Sequence, residues 1–241
     1  MRIFAKTDKG KVRSVNQDAF AANVLSGGAA FAVVCDGMGG ASAGDIASKA
    51  AVEIISQYVL ASYNPSMTSD DIIKLLSNAI ASANIEVYTL SKKDEQLNGM
   101  GTTAVAAIVR EQQAVICNVG DSRAYLIADE LKQLTRDHSV VQSLVESGKL
   151  SPEQAQIHPE KNIITRALGV EENVLTDSYC VDLGENDKIL LCTDGLSNYA
   201  NENSILRIVK DNALDKITDL LIKEANNGGG RDNITAAIIS H

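Results

Sequence analysis

Between Thr103 and Leu134 the chain reads as strand, turn, strand, turn, with turns too short to do more than reverse direction. Thr103–Val109, Ala114–Val119, Arg123–Ile127 and Leu131–Leu134 are apolar, strand-forming runs joined by segments such as REQQ and ADE. A parallel crossover needs roughly a dozen residues, so these strands pair antiparallel. Further strands are expected at Ile3–Thr7, Ala19–Leu25, Ala29–Cys35, Asp177–Val181, Lys188–Cys192 and Asn233–Ile239, with SGG as a hairpin-like spacer between the second and third. Helical spacing of Ala47, Ala50, Ala51, Ile54, Ile55 and Tyr58 predicts one helix, opened by a capping box of Ser42 with Asp45. A second begins at Thr68 and carries Ile72, Ile73, Leu76, Ile80, Ala83 and Val87 on its apolar face. Two shorter helices are expected around Asn203–Val209 and Leu214–Glu224. Strand groups separated by helix pairs give an α+β fold of two antiparallel sheets flanked by helices.

No linker, repeat or low-complexity tract divides the 241 residues, so a single domain over 1–241 is expected. Its one irregular stretch is 136–168, polar and with Pro152, Pro159 and two of the three histidines, which reads as an inserted flap. A formal charge of −9, from 31 acids against 22 bases, argues against a nucleic-acid or anionic-membrane partner. The four cysteines (Cys35, Cys117, Cys180, Cys192) lie singly in apolar runs and read as small core residues in a reduced, cytoplasmic protein. The segment MRIFAKTDKGK has no apolar core of signal-peptide type, and no run of 18 apolar residues would span a membrane.

Five aspartates share one kind of position. Asp36 ends FAVVCD and opens an Asp-Gly turn, Asp194 follows the strand ILLCT, Asp121 lies between two strands, and Asp18 and Asp232 each precede one. Any one alone is most simply a turn residue. If they converge, two carboxylates 5 Å apart repel by about 3 kcal/mol at an effective dielectric near 20, so a cluster calls for cations. Oxygen-only donors select hard ions such as magnesium or manganese, and no histidine has zinc-motif spacing. A phosphate-cradling reading of GMGG fails, because the third glycine of the motif would fall at Ser42 and Asp36 would repel a pyrophosphate.

RSVNQDAF, FAVVCDGMGG, GMGTTAVAAIV, NVGDSRAYLI, LTRDHS, ILLCTDGLSN and RDNITAAII together resemble, in order, the metal-dependent Ser/Thr protein phosphatases, the PPM or type 2C family, in a compact bacterial form. The resemblance runs from about Thr7 to Ile239. It implies a four-layer sandwich, two antiparallel β-sheets between helix pairs, with Mn²⁺ or Mg²⁺ in a cleft at the sheet ends: two tightly bound ions and a weaker third. By the same resemblance, Asp36 bridges the two ions and the Gly37 carbonyl is a further ligand. Asp194 and Asp232 bind the first metal, Asp18 holds water on the second, and Asp121 joins Asp194 at the third. Arg13 grips substrate phosphate, its planar fork suited to two oxygens. The implied reaction is hydrolysis of phosphoserine or phosphothreonine in proteins by a water bridging two cations, opposing a bacterial Ser/Thr kinase, in a monomer.

Two positions depart from eukaryotic relatives. Met38 stands where they have a proton-donating histidine, so water on a metal becomes the expected acid; Gln17 replaces a glutamate. His138, in TRDHS, has a structural role at the start of the flap as its simplest reading. Two rivals remain at this stage. A phosphatase acting on an anti-sigma-factor antagonist is disfavoured by Arg13, and an inactive binding module by the presence of all five aspartates.

Overall fold

The computed structural model describes residues 1–40 and 43–240. Its strands are β1 (Arg2–Asp8), β2 (Asp18–Val24), β3 (Ala30–Met38), β4 (Gly101–Thr102), β5 (Ala104–Arg110), β6 (Gln113–Val119), β7 (Arg123–Ile127), β8 (Leu131–Gln133), β9 (Asp177–Asp182), β10 (Lys188–Cys192) and β11 (Ile234–Ser240). The helices are α1 (Ala43–Ser62), α2 (Ser69–Lys93), α3 (Val140–Glu146), α4 (Pro152–Ile157), α5 (Asp194–Ser197), α6 (Glu202–Asp211) and α7 (Leu214–Asn227). One sheet runs β1-β11-β10-β7-β8 and the other β2-β3-β5-β6-β9, with β4 paired to β3; every pairing is antiparallel.

Strand alternation builds three cores. In β3, Phe31, Val33 and Cys35 pack with α1 and α2, whereas Ala30, Ala32 and Val34 face the other sheet. β5 divides in the same way, Ala106 and Ile108 toward the helices and Val105, Ala107 and Val109 inward. In β10 and β11, Leu190, Cys192, Ala236 and Ile238 meet α6 and α7, while Ile189, Leu191, Ala237 and Ile239 complete the layer between the sheets. Because both faces of each sheet are covered, the central strands are apolar at nearly every position instead of alternating with polar residues. Alanines at the sheet-to-sheet interface keep that middle layer thin. The result is the expected four-layer sandwich.

Several local expectations are refined. Thr68 caps α2 through a reciprocal capping box with Asp71, satisfying two otherwise orphaned groups. The capping box assigned to Ser42 and Asp45 lies outside the described residues. The stretch 136–168 contains α3 and α4, each with a serine N-cap, Ser139 and Ser151. Cys35, Cys117 and Cys192 are buried as expected, but Cys180 is exposed, because β9 is an edge strand with alternate residues facing out. Most consequential, the Asp36-Gly37 dipeptide makes no turn: β3 continues to Met38 by changing partners, from β5 to β4, where Gly37 opposes Thr102.

Candidate active site

The alternation that fills the middle layer also ends it with polar groups. The inward set of β3 continues from Ala30, Ala32 and Val34 to Asp36, and that of β2 begins at Asp18, directly opposite Asp36 in the register. From the other sheet, Thr7, Thr193 and Thr235 continue the inward sets of β1, β10 and β11. Asp36 is therefore placed by the period of its strand, and like-charged aspartates directly opposite one another would ordinarily destabilise a strand pair.

Asp36 is held through its backbone. Its N–H donates to Thr103 Oγ1 at 2.9 Å, and its carbonyl accepts from Thr102 Oγ1 at 2.9 Å and from Thr103 N–H at 2.9 Å, so its carboxylate is left uncommitted to the scaffold. Thr103 Oγ1 lies 2.7 Å from Ser122 Oγ, tying this strand to the turn that carries Asp121. The Gly37 N–H donates to the Gln17 carbonyl at 3.0 Å, and a side chain at Gly37 would overlap the Gly44 carbonyl, so only glycine permits this approach of β3 to the start of α1.

Asp18 is buried. Its Oδ2 accepts from Thr193 Oγ1 at 2.9 Å and Thr235 Oγ1 at 2.7 Å, whereas its Oδ1 is buried without a partner. Asp194 opens α5 and accepts from Asn198 Nδ2 at 3.0 Å. The glycine after it is required, since a side chain at Gly195 would overlap the Asn233 carbonyl. Asp232, two residues before β11, accepts from the Arg13 guanidinium at 2.8 Å.

Arg13, Gln17, Asp36, Gly37, Met38, Asp121, Asp194, Asp232 and, from the flap, Asn162 and Ile164 are among the lining of a cleft of about 240 Å³. Asp18, buried and opposite Asp36 in the register, is absent from that lining; the other expected site residues are all there. Arg13 is the one cation among that lining.

Electrostatics show how closely the acids gather. Burial, then repulsion by Asp18, Asp194, Asp121 and Asp232, drives the Asp36 carboxyl well above its ordinary range. Burial likewise pushes Asp18 up to about 7, against the two threonine hydrogen bonds, and pushes Asp121 up to about 8. Burial followed by the charge of Asp232 raises Asp194 to about 6, although the charges of Arg123 and Arg13 pull it down. Burial opposes the charge of Arg13, but its hydrogen bond to Asp232 and the neighbouring carboxylates hold its guanidinium the more firmly protonated. Left to themselves Asp36, Asp18 and Asp121 retain protons near neutrality; divalent cations in place of those protons would relieve both repulsion and burial. Among the described residues, no group of three or more His, Cys, Asp or Glu side chains is already drawn into a metal-binding arrangement. The donor set nevertheless suits hard cations. It is all oxygen, and the partnerless Asp18 Oδ1 is a buried acceptor that needs a positive or hydrogen-donating neighbour.

The sequence reading missed the groups that hold the acids in place. Asn233 joins three points of the loop bearing Arg13: its Oδ1 accepts from Gln17 N–H at 2.8 Å, and its Nδ2 donates to the carbonyls of Lys9 at 2.9 Å and Val15 at 3.0 Å. Its neighbour Asp232 and the Asn in RDNIT were the available signal. Thr193 and Thr235, which anchor Asp18, left none beyond their inward parity. His138 is buried and structural: its Nδ1 accepts from Gly120 N–H at 3.0 Å and its Nε2 lies 3.1 Å from Asp177 Oδ2, joining the flap to β9.

A four-layer sandwich of two antiparallel sheets, with an aspartate-lined cleft at one end of its middle layer, defines the structural class of the chain. Within that class the chain belongs to the protein phosphatase 2C family, whose model matches residues 9–221. It is 42% identical over 236 residues to the serine/threonine phosphatase stp of Listeria monocytogenes serotype 4b (strain F2365), covering 97% of this chain and 93% of that one. The crystal structure of serine/threonine phosphatase Stp1 from Staphylococcus aureus matches with a TM-score of 0.93 at 35% identity, covering 99% of this chain and 94% of that one. The catalytic domain of serine threonine protein phosphatase PstP, solved in complex with 2 manganese ions, matches with a TM-score of 0.86 at 31% identity, covering 98% and 96%.

Proposed function

We propose that the chain is a metal-dependent protein-serine/threonine phosphatase of the bacterial type 2C kind, a single catalytic domain over 1–241 with 136–168 as a flap at its cleft. The observation that carries this is the delivery of five aspartates and one arginine, from strands β2 and β3 and from the segments at the ends of strands of both sheets, to one end of the inter-sheet layer. Family membership and the manganese-bound relative support metal dependence.

Asp36 and the Gly37 carbonyl would hold Mn²⁺ or Mg²⁺ ions, Asp36 as the ligand common to the first two. Asp194 and Asp232 would join Asp36 in holding the first ion. Asp18, fixed by Thr193 and Thr235, would hold water on the second ion through its free oxygen, and Asp121 with Asp194 would hold a weaker third. When bound, such cations cancel the carboxylate charge and lower the proton affinity of a water to near neutrality. The chain's own part is positioning. Arg13 offers the free donors of its fork to two phosphate oxygens and stabilises their charge as the ester bond breaks. The backbone clamp of Thr102 and Thr103 keeps Asp36 from retreating, and Met38 supplies no proton at the leaving group, which leaves solvent as the donor. The substrates are phosphorylated proteins, opposing a Ser/Thr kinase, and the working form is a cytoplasmic monomer. No helix among the described residues is long and apolar enough to cross a membrane.

Purified protein should release phosphate from a phosphothreonine peptide with Mn²⁺ or Mg²⁺, lose that activity after chelation and dialysis, and regain it when the ion is restored. No release with either ion from a folded sample would sink the proposal.

A further inference from the structure

We propose that Lys11 and Arg231, beside Arg13, form a basic rim that docks an anionic side chain of the substrate next to the phosphate being removed, so that acidic phosphopeptides are preferred. The inference rests on the phosphatase reading and narrows its substrate class.

Two segments bring these cations together. The Lys11 N–H donates to the Gly230 carbonyl at 2.7 Å, and a Cβ at Gly230 would lie 3.1 Å from Lys11 Cγ, so the Lys11 stem runs along the turn that leads into Arg231. A Cβ at Gly229 would lie 3.6 Å from the Tyr199 ring and 3.7 Å from Arg231 Cγ, so the Arg231 stem and that ring both flank Gly229. Lys11 stands two residues before Arg13 and Arg231 immediately before Asp232 in the chain, and Arg13 and Asp232, paired at 2.8 Å, both line the cleft. Lys11, Arg13 and Arg231 are all exposed. Among the described residues only Arg13 of the three makes an ion pair. Asp8, at the end of β1, accepts at its Oδ1 from Gly10 N–H at 2.8 Å and Asn226 Nδ2 at 3.2 Å, and makes no ion pair with Lys11 or Arg231. The loop does not need to order on binding, because Asn233 and Gly230 already fix its backbone.

The sign of the effect makes the idea testable. A chain of net charge −9 repels acidic peptides at long range, so without a local rim acidic flanks should slow turnover. Two free cations beside the cleft reverse that order, by about fivefold in kcat/KM if each acts as an exposed ion pair. The peptides would share one phosphothreonine and differ in one flanking residue: alanine, aspartate, a second phosphothreonine or lysine. The expected order places aspartate and the second phosphothreonine above alanine, and alanine above lysine. The spread should collapse at about 0.5 M salt, where screening reaches only a few ångström. In Lys11→Gln/Arg231→Gln the preference should vanish while hydrolysis of p-nitrophenyl phosphate stays at the wild-type rate; Lys11→Gln alone should lose part of it. Anisotropy with labelled peptides gives the same ordering without turnover, so a failure of catalysis would strike the phosphatase reading and leave this one testable. A gain from the second phosphate alone would still support an anion dock, one selective for dianions. Equal values for alanine and aspartate flanks with no gain from the phosphate, or a preference that survives in the double variant, would overturn it.

Discussion

Replacing Asn233 by alanine removes three hydrogen bonds at once, those to Gln17 N–H and to the Lys9 and Val15 carbonyls, from a side chain that is only 5% exposed. Each is worth about 1 kcal/mol net, and water can reach part of what is uncovered, so the loss should be about 2–3 kcal/mol. For a domain of this length that is a fall in Tm of about 4–12 °C. Activity should suffer by a separate route. The loop from Lys9 to Gln17 carries Arg13, and once unpinned it no longer holds the guanidinium at the cleft. Thermal unfolding of Asn233→Ala would give the first number and Michaelis kinetics on a phosphothreonine peptide the second, with KM rising. The cycle with Arg13→Ala separates the two effects: if Asn233 acts on catalysis through Arg13, the double variant should be little slower than Arg13→Ala alone, although the stability loss persists. A Tm within about 1 °C of wild type, or kinetic losses that simply multiply in the double variant, would refute the argument.

Other consequences follow from the same geometry. In chelated protein, Asp194, Asp18 and Asp121 hold protons up to about 6, 7 and 8, against an ordinary value of 3.8, so they favour the folded state at low pH and cease to do so as pH rises through that window. Tm of the chelated protein should therefore fall between about pH 5 and pH 8.5, and added Mn²⁺ should reverse the trend because cations replace the protons; a chelated protein most stable at the alkaline end would count against it. Gly37→Ala forces a methyl into the Gly44 carbonyl and should cost about 1–3 kcal/mol or more, read by denaturant unfolding; an unchanged midpoint would mean the two backbones separate freely. Thr235→Val removes one of the two donors to Asp18 and leaves its buried carboxylate less satisfied. Calorimetric Mn²⁺ affinity should weaken by about tenfold, and an unchanged affinity would show that Asp18 needs no anchoring.

How much of this was legible before the structure depends on the scale of the signal. Short turns fixed antiparallel pairing, and the strand runs around Ala106, Ile116 and Leu190 fall where expected, because hydrophobic runs and turns are local features. Gly101–Thr102 could not be read as a strand from two residues; it exists because β3 runs on past Val34 and needs a partner. That same extension is what the reading of Asp36 as a turn residue missed. Asp-Gly is a strong local turn signal, and only the long-range pairing of Gly37 with Thr102 overrides it. The acids were found because they recur at strand ends. Thr193, Thr235 and Asn233 went unread as supports because their partners lie 175, 217 and 216–224 residues away in the chain.

The central claim is that Asp36 is the carboxylate on which the whole site depends. Its nearly isosteric replacement, Asp36→Asn, should fold like wild type, since Asp36 is held by its backbone. Counting Mn²⁺ bound per chain by titration calorimetry in both proteins, alongside phosphate release from a phosphothreonine peptide, tests that claim directly. At least two ions in the wild type, with binding and turnover both lost in Asp36→Asn, is the predicted result. Equal stoichiometry and full activity in the variant would contradict it.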